Sequence, residues 1–136
     1  MEKLIWDDRL SVGILEIDHQ HQKLIGFINI LNDVIAGDLM EKTTIRIVLR
    51  KMVEYSQYHF QCEEDLMQKV NYPDMPSHKS EHSEFSDTVK NFIERMKEND
   101  DIAKDLLIFL YSWLTNHIFT VDQKMGQYAL KNPTSN

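Results

Sequence analysis

The sequence predicts an all-α protein: an up-down-up-down four-helix bundle with an N-terminal arm and a short C-terminal tail. Its 136 residues suit a single domain. It has only four Gly and three Pro, so turns are few and the elements must be long. Apolar residues recur at helical spacing in four segments, and the short connections between them favour antiparallel neighbours. We expect an arm over residues 1–17, the bundle over 18–122 and the tail over 123–136.

The first two helices are defined by apolar stripes. The first is expected over residues 18–36, with Gly37 as its C-terminal stop. The second is expected over about residues 41–70. The stripe residues are Leu24, Ile28, Leu31 and Ile35 in the first helix, and Ile45, Val48, Met52, Tyr55 and Leu66 in the second.

The last two helices are predicted from their start signals as well as their stripes. The third opens after Pro73 and Pro76, with Ser77 as the expected cap. The fourth follows the polar run 97–101, whose acidic residues suit a helix N-terminus. The stripes are Phe85, Val89, Phe92 and Met96 in the third helix, and Leu106, Leu110, Trp113 and Val121 in the fourth.

Composition excludes several classes of function. The net charge of −7 argues against a nucleic-acid partner, because phosphate binding needs clustered basic residues. A single cysteine excludes an internal disulfide framework and a Cys-rich zinc site. The longest stretch without formal charge, residues 106–121, is shorter than the roughly 20 residues that a membrane span needs. We therefore expect a soluble cytoplasmic protein without a membrane partner. We also expect a monomer, because no long exposed apolar stripe is left unassigned.

The apolar stripes lead to residue types that bind metals. Random placement would put about two of the six histidines on these helix faces, whereas five lie there. They fall early in the first and third helices and late in the second and fourth, which is one end of an antiparallel bundle. The converging residues are His21, His59, Glu63, His78, His82 and His117, with Asp122 adjacent.

Seven ligands exceed the needs of a single metal ion. Zinc takes four, and calcium or magnesium sites use oxygen ligands rather than histidines. Imidazole together with carboxylate suits iron or another transition metal. Two metal ions could share the two carboxylates, Glu63 and Asp122, as bridges.

At these residues the chain resembles the hemerythrin family. The resemblance covers nearly the whole chain, and the combined pattern is much more specific than any single HxxxH motif. The matching segments are Trp6, Val12-Gly13, Ile17-Asp18-x-Gln20-His21, His59-Phe60-x-x-Glu63-Glu64, Tyr72-Pro73, His78-x-x-x-His82 and Trp113-Leu114-x-x-His117-Ile118-x-x-x-Asp122.

The resemblance implies a non-haem di-iron centre that binds O2 reversibly. One Fe ion would take His78, His82 and His117, and the other would take His21 and His59. Glu63 and Asp122 would bridge the two Fe ions, together with an oxo or hydroxo ion. The two-histidine iron would keep one open position for O2, which a small anion such as azide could occupy in the diferric form.

An apolar shell is expected to exclude water from the O2 position. Its members are Leu24, Phe60, Trp113, Leu114 and Ile118. One departure from the family is Met125, where the family commonly has Tyr. We expect three nearby polar residues to lie outside the site: His19 and Glu64 in solvent, and Cys62 packed in the bundle interior.

Three functions stay open at this point. The first is an O2 carrier for storage, delivery or buffering, which is not an enzyme. The second is an O2 or redox sensor, and the third is a di-iron enzyme acting on peroxide or NO. Ferritin-like oxidases use two Glu-x-x-His units, whereas this chain has one, formed by Glu16 and His19. This difference favours binding over oxidation.

Overall fold

The computed structural model describes residues 3–37, 42–98 and 102–133, and no strand occurs among them. Neighbouring pairs α1–α2, α2–α3, α3–α4 and α4–α1 pack together in a closed ring, which confirms the predicted four-helix bundle. A π-helical segment (His117–Asp122) joins α4 to α5, so these two helices form the fourth rod of the bundle. The helices are α1 Leu15–Ala36, α2 Lys42–Lys69, α3 Met75–Lys97, α4 Ala103–Asn116 and α5 Gln123–Lys131.

Two helix starts differ from the expected ones. Helix α1 begins at Leu15, within the segment predicted as the arm. Helix α3 begins at Met75, so Ser77 lies inside its first turn and is not its cap. The reason is Pro76, which fits the first turn of a helix because the amide hydrogen that it lacks would have no helical partner there.

The segment predicted as a tail is largely helical. Helix α5 buries Met125, Gly126 and Ala129, which recur at helical spacing over too short a stretch to stand out in the sequence. Met125 is fully buried in a small cluster with residues of α2 and the α2–α3 connection. Helix α5 therefore closes the ligand-bearing end of the bundle, and Met125 lies in this packing.

The N-terminal arm runs antiparallel to α1 and is fixed by polar contacts. The side-chain amide of Asn29 accepts a hydrogen bond from the Leu4 amide (2.9 Å) and donates one to the Leu4 carbonyl (2.8 Å). Further along, Asp18 accepts hydrogen bonds from the Val12 amide (2.8 Å) and the Ser11 hydroxyl. Gln123 of α5 donates to the Ser11 carbonyl at 2.7 Å. The arm is thus tied to the first turn of α1, to the second half of the same helix and to α5.

The arm also approaches α5 very closely. A Cβ atom at Gly126 would lie 2.3 Å from the carbonyl oxygen of Val12, so only glycine allows this contact.

The main core fills the bundle between its four rods, above the ligand-bearing end. In the parts of the chain that the structure describes, no helix is long and apolar enough to cross a membrane. The largest fully buried apolar residues are Leu24, Ile28, Leu31, Leu49, Met52, Met67, Leu106, Leu110, Ile118 and Met125.

A candidate metal centre

The structure brings all seven predicted ligand residues together at one end of the bundle. Every one of them is buried, with no residue more than 3% exposed. They form two groups of mutually close ligand atoms that share one carboxylate. The groups are Glu63, His78, His82 and His117, and His21, His59, Glu63 and Asp122.

Glu63 lies between the two groups and offers one oxygen to each. Its Oε1 atom lies 2.9 Å from Nε2 of His82 and 3.3 Å from Nε2 of His78. Its Oε2 atom lies 3.4 Å from Nε2 of His59 and 3.5 Å from Nε2 of His21. A carboxylate in this position can hold two cations at once.

Asp122 repeats this arrangement from the opposite helix. Its Oδ1 atom lies 3.1 Å from Nε2 of His78 and 3.1 Å from Nε2 of His117. Its Oδ2 atom lies 2.9 Å from Nε2 of His21. Two carboxylates therefore separate a set of three imidazoles from a set of two, and each carboxylate faces both sets.

His117 and Asp122 depend on the irregular part of the fourth rod. They lie five positions apart in the sequence, and in a regular α-helix this spacing would turn their side chains about 140° apart. The π-helical segment starts at His117 and ends at Asp122. Its wider turn places both side chains on the inner face. Such π segments are uncommon and often occur at functional sites.

Buried polar atoms in the centre lack hydrogen-bond partners among the described residues, which is the pattern expected of cation ligands. The unpartnered atoms include Nε2 of His21 and His117, Oε2 of Glu63, and both carboxylate oxygens of Asp122. Several lie within 3.5 Å of one another, but not with hydrogen-bond geometry. Buried polar groups without partners are costly. Imidazole nitrogens and carboxylates directed at a common point fit a transition-metal ion well.

The two carboxylates also change the proton affinities of the imidazoles. Burial opposes a charge on His21 and on His78, but contacts with Asp122 and Glu63 outweigh it and raise the pKa of each histidine to about 9. Burial likewise opposes the charge on Glu63, but the imidazoles, His59 first among them, hold its pKa well below the usual value. In the metal-free protein, protons thus take the place of cations, and metal binding must release them.

Three further residues orient the histidines from outside the centre. Each accepts a hydrogen bond from the Nδ1 atom of a histidine, which directs the lone pair of Nε2 inward. The pairs are His59 with Gln20 (2.6 Å), His82 with Glu64 (3.0 Å) and His117 with Glu81 (3.2 Å).

Each of these outer residues contacts a histidine of the next element along the chain, a pattern that was not predicted from the sequence. Gln20 of α1 accepts from a histidine of α2, Glu64 of α2 accepts from one of α3, and Glu81 of α3 accepts from the histidine of the π segment. The prediction that Glu64 is solvated is wrong, because its side chain is only 21% exposed and contacts His82. Their positions in the sequence could have indicated this role, because each outer residue directly precedes or follows a ligand residue.

Two residues of the predicted apolar shell pack against the three-histidine set. Phe60 stacks on His82, with ring centroids 4.0 Å apart, and Trp113 stacks on His117 at 4.4 Å, so both cover the three-histidine set. Leu24, Leu114 and Ile118 are buried. Their role in O2 binding stays a prediction.

The two remaining polar residues lie outside both ligand groups. The prediction that His19 points into solvent is confirmed, since it is exposed. Cys62 is a free cysteine of intermediate burial and belongs to neither group.

Fold and site together define a class of protein: a four-helix bundle with a buried imidazole–carboxylate cluster that could hold metal cations at one end. Comparison with known families gives the same result. The family described as "Hemerythrin HHE cation binding domain" matches residues 12–129. The chain belongs to the hemerythrin family, and the resemblance noted in the sequence is confirmed.

Individual relatives agree with this assignment. The chain is 36% identical over 123 residues to the bacteriohemerythrin of Stenotrophomonas maltophilia, covering 90% of this chain and 79% of that protein. It is 30% identical over 128 residues to the bacteriohemerythrin of Clostridium acetobutylicum, covering 88% and 96%. The crystal structure of a wild-type hemerythrin matches with a TM-score of 0.83 at 27% identity, over 91% of this chain and 95% of that chain.

Proposed function

We propose that the protein binds O2 reversibly at a non-haem di-iron centre and serves in oxygen storage, delivery or buffering rather than as an enzyme. The observation that carries this proposal is that each of the two carboxylates faces both sets of histidines. Glu63 and Asp122 each direct one oxygen toward the three-histidine set and the other toward the two-histidine set. This arrangement suits two metal ions better than one.

Under this proposal the two cation positions are unequal. His78, His82 and His117 would hold one iron, and His21 and His59 would hold the other, while both carboxylates would contribute an oxygen to each. The first position thus receives five protein donors and the second receives four. The position with fewer protein donors, beside His21 and His59, would leave room for O2 or for a small anion such as azide.

The iron pair, when bound, supplies the two electrons that O2 binding requires. The chain's own residues hold the ions, exclude water and limit the chemistry. Five neutral imidazoles donate less negative charge than the carboxylate-rich ligand sets of oxidising di-iron proteins, which favours reversible binding. Buried Leu24 and Ile118 keep the surroundings apolar, so water and protons have little access to the bound gas.

Metal analysis combined with optical spectroscopy tests this proposal. We expect two irons per chain, and we expect the reduced protein to develop a lasting oxygenated spectrum with O2 that is lost again under vacuum. Azide should change the spectrum of the diferric form. An iron content near one per chain would contradict the di-iron centre. Direct conversion to the diferric state after rapid mixing with O2, with no lasting oxygenated form, would instead favour the enzyme.

A further inference from the structure

A groove of about 350 Å³ runs along the outer surface between α1 and α2. Three aromatic rings form a row in it. The ring centroids of Phe27 and Tyr55 lie 6.1 Å apart, and those of Tyr55 and Tyr58 lie 5.8 Å apart. Tyr58 is 54% exposed, so its ring offers a surface on which a planar molecule can stack. We call this site the aromatic groove, and its lining residues are Lys23, Phe27, Lys51, Glu54, Tyr55 and Tyr58.

The aromatic groove carries positive charge although the protein is acidic. Its lining has two lysines against one glutamate, whereas the whole chain has a net charge of −7. The ammonium group of Lys23 lies 4.5 Å from the centre of the Tyr55 ring, a favourable cation–π contact. Lys51 borders the groove from the other helix, and both lysines are exposed. Aromatic rings bordered by cations suit a planar aromatic molecule with a negative group such as a phosphate.

The aromatic groove lies close to the two-histidine set, on the outer side of the same two helices. Tyr58 immediately precedes His59 on α2, and Lys23 follows His21 by two residues on α1. An α-helix with its side chains is about 10 Å across, so roughly one helix diameter separates the groove from these histidines. A molecule in the groove is therefore near the centre without touching it.

The centre itself is closed to a reductant, because none of its seven ligand residues is more than 3% exposed. Electrons for an oxidised iron pair must therefore enter through the surrounding protein. Flavins can give up their electrons one at a time, which suits two separate ferric ions. The groove volume is at the lower end of the range for small-molecule sites, which favours a mononucleotide over a dinucleotide.

We propose that the aromatic groove binds a planar aromatic anion of the flavin mononucleotide type, with its ring on Tyr58 and its phosphate near Lys23 and Lys51, and that the reduced form supplies electrons to the diferric centre. The reduced flavin loses two electrons and two protons. One electron goes to each ferric ion, and the protons go to water. The binding site follows from the groove alone, whereas the supply of electrons rests on the proposed function.

Flavin mononucleotide added to the diferric protein is the probe for the site. We expect its fluorescence to be quenched, with saturation at one flavin per chain. Tyr58→Leu removes the exposed stacking ring and should weaken binding about tenfold. Tyr111→Leu, which changes a tyrosine of α4 outside the groove, should leave the affinity unchanged. Quenching that does not saturate, or equal affinities for Tyr58→Leu and wild type, overturns the site.

The negative group of the ligand is tested by comparing flavin mononucleotide with riboflavin, which lacks the phosphate. Lys51→Gln should weaken the binding of flavin mononucleotide several-fold and leave riboflavin binding unchanged. Lys90→Gln, which changes an exposed lysine of α3, should affect neither. Equal losses for both flavins in Lys51→Gln overturn the role of the phosphate. Displacement of the flavin by inorganic phosphate at the same concentration overturns the stacked ring.

Anaerobic stopped-flow reduction of the diferric protein tests the supply of electrons. With reduced flavin mononucleotide we expect the rate to level off at high flavin concentration, and to be about tenfold lower in Tyr58→Leu at low concentration. Dithionite, which has no ring to stack, should reduce both proteins at the same rate. Equal rates with reduced flavin overturn the supply of electrons at this site.

The outcomes separate this proposal from the proposed function. A protein that binds flavin in the groove and yet forms no oxygenated species with O2 overturns the proposed function and leaves the binding site standing. A protein that forms a lasting oxygenated species but binds no flavin overturns the binding site and leaves the proposed function standing.

Discussion

Helix α3 and the fourth rod each supply two candidate ligand residues to the centre, but in different ways. His78 and His82 lie four residues apart on the regular helix α3. His117 and Asp122 lie five residues apart, and the π-helical segment between them absorbs the extra residue. In α3 the ligands follow the helical period, whereas in the fourth rod the backbone departs from the period to bring the ligands inward.

This difference shows that the backbone departs from regular α-helical geometry next to the site. π-helical segments are rare and occur mostly as single turns inside α-helices, often at functional sites. Here the fully buried Met125 holds the rod on one side of the segment, and the core residue Leu110 holds it on the other. The packing on both sides thus fixes the distortion that the ligands require.

Deletion of a single residue should have the largest effect, and it should affect α3 and the fourth rod differently. Removing Ser80, between the two histidines of α3, rotates the helix that follows by about 100°, so Phe85 and Val89 leave the core face. We expect loss of iron and a fall in melting temperature of roughly 10 °C or more. Iron analysis and thermal unfolding followed by circular dichroism would measure this.

The matched deletion falls in the fourth rod. Removing the exposed Thr120 would leave four residues' spacing between His117 and Asp122, which is the regular α-helical period. We expect this variant to fold and keep its iron, because the helix after the deletion retains its register. Loss of iron here, or its retention without Ser80, would mean that the π segment does more than absorb one residue.

Truncation of a ligand in α3 should have the next largest effect. His78 contacts both carboxylates, so His78→Ala leaves Glu63 and Asp122 without one of their buried partners. We expect iron to be lost and the melting temperature to fall, because metal binding contributes folding free energy. His19→Ala, which changes an exposed histidine, should alter neither quantity. The reverse pattern would contradict the assignment of helix faces.

Titration of the metal-free protein should sharpen the comparison further. In that form the proton on His78 of α3 strengthens its contact with Asp122 of the π segment. The raised pKa of His21 and of His78, each about 9, stabilises the fold fully below the unfolded value near 6.5. This stabilisation is lost as the pH rises through 9. We expect the melting temperature of the metal-free protein to fall by roughly 10 °C between pH 6.5 and pH 10.

The iron-loaded protein is the control for this titration, since bound cations replace the protons and its melting temperature should change far less over the same range. At the acid end the sign reverses. The lowered pKa values of Glu63 and Asp122 contribute stability that is lost as the pH falls below about 4. An equal alkaline loss in both forms would place the titrating groups outside the centre.

The smallest predicted effect concerns the residues that orient the histidines. Glu81→Leu removes the acceptor for Nδ1 of His117 and should weaken iron binding about 10- to 100-fold, as measured by competition with a chelator. Glu84, on the same helix α3, is exposed and contacts no ligand residue, so Glu84→Leu is the control. Equal affinities for the two variants would limit Glu81 to a surface role.

Much of the fold was predictable because buried helices carry a periodic apolar pattern. The stripe through Leu24, Ile28 and Leu31 indicated α1, and the alternating direction of the helices placed the ligand residues at one end. The weak points were the ends of the elements. Pro76 moved the start of α3 away from Ser77, and the apolar side of α5 is too short to give a clear period in the sequence.

The sequence by itself determined which residues come together at one end of the bundle, since five histidines and two carboxylates on helix faces leave few other arrangements. Only the tertiary structure decided how these residues face one another. It placed one oxygen of Glu63 and one of Asp122 on each side, assigned Gln20, Glu64 and Glu81 to histidines of the next helix, and widened the turn between His117 and Asp122. The physical reason is that helical period is a local property of the chain, whereas the distances between atoms on different helices depend on how the whole bundle packs.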